Sequence, residues 1–155
     1  MTEQEWPVVA IGTVTSARAE ALDDDWGEVT ATITFHPPLD ERSVAGLAEF
    51  SHVEVVFLFD RVDPDAVCLH ARHPRGNLDW PEVGILAQRA KDRPNRIGLC
   101  TCSLVAVEGA SIVVRGLDAI DGTPVLDVKP YMEEFAPRGD VRQPAWSREL
   151  MRGYW

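Results

Sequence analysis

Ile97-Gly98-Leu99-Cys100-Thr101-Cys102-Ser103-Leu104-Val105-Ala106-Val107-Glu108 runs through Gly109-Ala110 into Ser111-Ile112-Val113-Val114-Arg115-Gly116-Leu117. Two apolar runs rich in β-branched residues, separated by Glu-Gly-Ala, read as antiparallel strands over 97–108 and 111–117 joined in a hairpin. Cys100 and Cys102 stand two apart on the first strand, so their side chains are expected on one face.

Working upstream, further strands are expected over 8–15, 28–35, 52–59, 67–71 and 83–88. In the second of these Val29, Ala31, Ile33 and Phe35 alternate with Thr30, Thr32 and Thr34, the period of a half-buried sheet. His36-Pro37-Pro38 ends it. His52 to Phe59 (HVEVVFLF) is apolar enough for a central strand, and 43–50 is expected to form a short helix. Strands at this density, with one or two short helices, imply an all-β sandwich or small barrel. No GxGxxG loop follows a strand, so a Rossmann dinucleotide site has no support.

A length of 155 residues fits one domain with a buried core. The N-terminal stretch is polar and acidic, without an apolar run suited to a signal peptide or membrane span, so a cytoplasmic protein is expected. Three cysteines are too few for a disulfide framework and are expected to be reduced. Cys68, His70 and His73 join Cys100 and Cys102 as nominal metal ligands, but the CxxC spacing of a zinc site is missing, and no metal is expected.

Charge is uneven. Residues 1–65 hold 14 acids and 3 bases, whereas 66–155 hold 11 acids and 12 bases. From His70 to Arg96 six bases (Arg72, Arg75, Arg89, Lys91, Arg93, Arg96) face three acids. A net charge of −10 disfavours indiscriminate nucleic-acid binding, while a local basic patch still attracts phosphate.

Two polar segments flank the hairpin: Arg89-Ala-Lys-Asp-Arg-Pro-Asn-Arg-Ile-Gly98 and Gly116-Leu-Asp-Ala-Ile-Asp-Gly-Thr-Pro-Val-Leu-Asp-Val-Lys-Pro-Tyr131. Arginines, Asn and carboxylates crowd there around Pro and Gly, so a site on loops held by a sheet is expected. With Ile11–Ser16 and Gly46–His52 upstream, these segments resemble, in order, the TrmO (TsaA-like) family of S-adenosylmethionine-dependent methyltransferases. The resemblance covers roughly residues 8–137, and RPN-x-IG and DGTPVLD-x-KPY are its most specific strings.

The resemblance implies a small single-domain β-barrel over 1–137 with a short tail over 138–155, where longer relatives carry a second domain. It implies the cofactor S-adenosylmethionine, and cofactor contacts at Asp60, Arg61, Arg89, Leu99, Gly116, Leu117 and Asp118. Arg93 and Asn95 are the expected acceptor-binding residues, with Asp127, Lys129 and Tyr131 as catalytic candidates: a buried Asp127 taking a proton, the other two orienting the acceptor. Against this, Asp127 and Lys129 simply pair, Asn95 caps a turn, and Asp121-Gly122 is an ordinary turn dipeptide.

Three departures stand out: Asp60 where the family has His, Ala19–Trp26 in place of its Pro-Arg-Gln loop, and Arg96 where it prefers Pro. The expected activity is N-methylation of threonylcarbamoyl-adenosine beside the anticodon of tRNA. The alternatives are methylation of a small molecule and a cofactor-binding module without turnover. Trp146, Met151, Tyr154 and Trp155 either pack on the barrel or form a homodimer patch.

Overall fold

The computed structural model of the chain describes residues 3–155. Six strands close into a barrel: β1 (Gly12–Ser16), β2 (Thr30–Phe35), β3 (His52–Leu58), β6 (Ile97–Glu108), β7 (Ser111–Arg115) and β8 (Pro124–Pro130), in the order β1-β2-β7-β6-β3-β8. A separate two-stranded pair, β4 (Ala71–Arg72) and β5 (Val83–Gly84), lies in the long connection between β3 and β6. Every barrel pairing is antiparallel, and β8 meets β1 at Gly12↔Val125.

Alternation builds the core. Ala31, Ile33 and Phe35 of β2, Val53, Val55 and Phe57 of β3, and Ile112 and Val114 of β7 all point inward, joined by Cys100 and Cys102. Both cysteines therefore share one buried face, as their spacing implied. Gly98 stands opposite Phe57, and a Cβ there would lie 2.5 Å from the ring. The glycine of the RPN-x-IG string is thus the residue over which a core aromatic lies.

Several expected elements differ. The first strand begins at Gly12 rather than at residue 8, with the Ile11 N–H and carbonyl already bonded to the Val125 carbonyl and the His36 N–H at 2.8 Å. Over 43–50 two 3-10 turns, Glu41–Val44 and Leu47–Glu49, replace the expected helix, with Ala45-Gly46 between them and Gly46 left-handed at φ 84°. The strands expected over 67–71 and 83–88 shrink to β4 and β5; Ile85–Ala87 turns away so that Ile85 can be buried. In the tail a helix forms over Ala145–Leu150, α1.

The unforeseen strand is β8, which closes the barrel. Its alternation is broken by a bulge: Phe57 pairs with Val125 and Val56 with Asp127, so Leu126 is the extra residue. Val125 and Val128, three apart, both face the core, and the period of two disappears from the sequence.

Candidate active site

Part of the expected site gathers around the first half of β6: Arg89, Leu99 and Gly116 meet there, with Asp127 two strands away. Leu99 of β6 lies beside Val56 of β3, which lies beside Asp127 of β8, and the next outward row is Thr101, Glu54 and Lys129. Three strands thus hold Leu99 and Asp127 two strand spacings apart, about 10 Å. The rigid sheet, rather than a flexible loop, fixes this distance.

Arg89 crosses onto this flank, donating from Nη2 to the Leu99 carbonyl at 2.7 Å. Beyond β7 the chain turns at Gly116, whose φ of 82° belongs to the left-handed region, and its carbonyl accepts from the Cys100 thiol at 3.2 Å. Leu117 follows as a fully buried core residue. Asp118 is thereby placed at the barrel edge, with one carboxylate oxygen accepting from the Tyr154 hydroxyl. Its other oxygen, Oδ1, is buried and has no protein donor.

The electrostatics follow from this crowding. Burial first, and the Asp118 charge second, push the Tyr154 phenol well above the usual tyrosine range, while the nearby Arg89 opposes the shift. Contact with Cys102, burial and the Asp118 charge raise the Cys100 thiol, which stays protonated as a packing group.

The neighbouring loops are tied in by arginines. Arg61 donates to the Asp121 carbonyl at 3.0 Å and lies against Gly122, whereas Asp60 beside it is exposed. Arg93 holds the Gln88 carbonyl at 2.6 Å, and Arg96 the Val62 carbonyl at 2.9 Å. Asn95, exposed, takes φ 61° in the turn before β6, a conformation Asn tolerates better than most residues.

On β8 the expectation of a buried Asp127 fails. Its side chain is 46% exposed and its Oδ2 pairs with Lys129 Nζ at 2.9 Å, while Oδ1 accepts from the Val128 N–H at 3.0 Å. The bulge that turns Val128 inward leaves Asp127 outward. The Asp127 charge and hydrogen bond raise the Lys129 ammonium further above its ordinary range. Tyr131 continues the strand, its N–H on the His52 carbonyl at 3.0 Å.

Two parts were not placed at the site from sequence, although packing of the tail on the barrel was one of its two expected fates. Tyr154 and Trp155 fold back onto the flank: Trp26 and Asp25 donate to the Tyr154 and Gly153 carbonyls at 2.8 and 2.9 Å. Trp80 Nε1 donates to Glu149 at 2.8 Å, anchoring α1. The aromatic density of the tail was the available signal, but not its target. The second part is Arg18, whose guanidinium lies 3.8 Å from the ring centre of buried Trp26 and bonds the Asp24 and Asp25 carbonyls. With Asp24 also paired to Arg75 at 3.1 Å, the acidic loop is tied to the basic stretch at one point, while Glu20, Asp23 and Asp25 stay exposed.

A cleft of about 510 Å³ opens elsewhere, among Ile11, Phe35, Leu39, Val44, Leu47 and Val128, and one of about 300 Å³ lies beside Glu54, Lys129 and Phe135. Neither is lined by Arg89, Leu99, Gly116 or Asp118. The first is mostly apolar and offers little to a charged ligand, and the polar cluster lies outside both.

Residues 24–136 match the tRNA-methyltransferase O N-terminal domain family. A tRNA (adenine(37)-N6)-methyltransferase of Homo sapiens is 39% identical over 104 residues, covering 67% of this chain and 23% of that protein. A putative S-adenosylmethionine-dependent methyltransferase RcsF of Pseudomonas aeruginosa is 40% identical over 114 residues, 72% of this chain and 48% of that one. The crystal structure of TrmO from Pseudomonas aeruginosa superposes with a TM-score of 0.72 at 28% identity, covering 90% of this chain and 62% of that one. The chain spans less than half the length of these two curated relatives.

Proposed function

The chain belongs to the tRNA-methyltransferase O N-terminal domain family, and on that premise we propose that it is an S-adenosylmethionine-dependent methyltransferase acting on threonylcarbamoyl-adenosine next to the tRNA anticodon. The observation that carries the reading is the convergence of Arg89, the Leu99 backbone and Asp118 on one barrel flank, within two strands of Asp127. Among the described residues one oxygen of Asp118 is buried without a donor, and Arg89 faces no carboxylate within ion-pair distance. Those groups suit a ligand that brings hydroxyl donors and a carboxylate.

In this reading Arg89 holds the methionine carboxylate, Asp118 a ribose hydroxyl, and Leu99 and Gly116 the adenine surroundings, with Asp60 and Arg61 bordering them; Leu117, expected as a contact, is fully buried in the core and supports the turn from behind. The cofactor supplies a methyl group already activated by its sulfonium, so orientation is most of what the protein must contribute. Arg93 and Asn95 hold the acceptor. Asp127 takes the proton released by the acceptor nitrogen, Lys129 keeps that carboxylate in place, and Tyr131 orients the acceptor.

The unit is the barrel over 1–137 with the 138–155 tail. No helix among the described residues is long and apolar enough to cross a membrane, and free cysteines suit a reducing cytoplasm. Of the expected patch of Trp146, Met151, Tyr154 and Trp155, Trp155 at 58% exposed is the apolar surface left for a homodimer. Light scattering that finds a monomer at micromolar concentration would rule the dimer out.

Transfer of labelled methyl from S-adenosylmethionine to tRNA carrying threonylcarbamoyl-adenosine, and not to tRNA lacking it, tests the reaction. Asp127→Ala is expected to fold and to lose turnover; unchanged turnover would end its role as base. A second reading, a small-molecule acceptor, is favoured by the acidic loop fastened across Arg75. Labelled methyl appearing in a metabolite extract but not in tRNA would select it.

A further inference from the structure

We propose that Tyr154 is a positioning residue of the cofactor site, acting through Asp118, so that the folded-back tail is a working part of that site. The inference rests on the reading of Arg89 and Asp118 as cofactor ligands and adds a residue outside the 24–136 span of the family match.

The tail is seated by several independent contacts. Residues 25 and 26 hold the Gly153 and Tyr154 carbonyls, and Trp80 holds Glu149. Gly27 leaves room for the Trp155 backbone, since a Cβ there would come within 2.7 Å of its carbonyl carbon. The Trp155 ring meets the Tyr154 ring edge to face at 4.8 Å. These contacts set the phenol so that its hydroxyl donates to Asp118 Oδ2.

A carboxylate held by one oxygen cannot swing about its last torsion, and its second oxygen keeps a fixed direction. Oδ1 is buried and has no donor among the described residues, so the acceptor prepared by Tyr154 suits a hydroxyl brought by the ligand. Fixing this acceptor before binding removes an ordering cost from the ligand's side. Tyr154 touches Asp118 rather than the reacting atoms, which makes it a positioning residue.

The test is calorimetric titration of the full chain with S-adenosylhomocysteine, for the unaltered protein, Tyr154→Phe and Gly27→Ala. The last displaces the Trp155 backbone while leaving Tyr154 and Asp118 in the chain, and stands in if Tyr154→Phe fails to fold. Loss of a hydrogen bond to a charged group predicts roughly ten- to a hundredfold weaker binding in Tyr154→Phe and a loss of the same sign in Gly27→Ala. A readout without ligand accompanies it: absorbance titration should show one of the two tyrosines ionising late, a step that is absent in Tyr154→Phe. Equal affinity in the unaltered protein and both variants would overturn the inference and leave the cofactor reading standing. Tighter binding in Tyr154→Phe would also overturn it, by showing that the tail obstructs the site. No binding by the unaltered protein would remove the cofactor reading itself, and the inference with it.

Discussion

Gly98 and Tyr154 show how single positions govern this flank. An added Cβ at Gly98 would meet the Phe57 ring at 2.5 Å, so Gly98→Ala must push a nearly inaccessible aromatic off its seat. Overpacking of this kind costs about 1–3 kcal/mol, expected as a lowered melting temperature; an unshifted one would mean the ring has room to yield. Tyr154 makes a prediction about pH. Its phenol is raised in the folded state by burial and by Asp118, against an unfolded value near the ordinary ~10. A group raised on folding contributes stability that is whole below the unfolded value and is lost as pH climbs above it. Denaturant midpoints should therefore fall more steeply between about pH 9 and 11 in the unaltered protein than in Tyr154→Phe, and parallel falls would count against the buried contact.

Among elements, β8 carries both the closure of the barrel and the outward row of Asp127 and Lys129. Val125, fully buried on it, loses two methyl groups in Val125→Ala, and the transfer and cavity contributions together predict about 2–3 kcal/mol of destabilisation by denaturant unfolding. A loss under half a kcal/mol would mean that β8 is not part of the cooperative core. This strand was also the hardest to read. The hairpin of β6 and β7 was plain from its β-branched runs, and β2 and β3 from alternation; β8 hid behind prolines at both ends, two charges and a bulge that places its inward valines three apart. The motif residues Arg89, Leu99, Gly116 and Asp118 were legible because they sit in distinctive strings. Tyr154 was not, because its partner Asp118 lies 36 residues away and only the closed tail brings the two together.

At the scale of the whole molecule the acidic first half and neutral second half do not stay apart. Asp24 reaches Arg75, and Asp92 pairs with Arg72 at 3.0 Å, which leaves Arg89, Lys91, Arg93 and Arg96 of the basic stretch without a carboxylate within ion-pair distance among the described residues. With Arg89 given to the cofactor, the other three cations on a single-stranded anticodon loop predict a log–log salt slope of roughly −2 for tRNA binding, and a slope near zero would favour a small neutral acceptor. Beneath the choice of acceptor lies the cofactor, which the tRNA and small-molecule readings share. Its direct measurement is calorimetric titration of the purified chain with S-adenosylmethionine beside an Arg89→Ala variant checked for folding by circular dichroism. Saturable binding by the unaltered chain, lost in the variant, is the predicted result; a folded, unaltered chain that takes up no S-adenosylmethionine would contradict the assignment of this flank as a methyl-donor site.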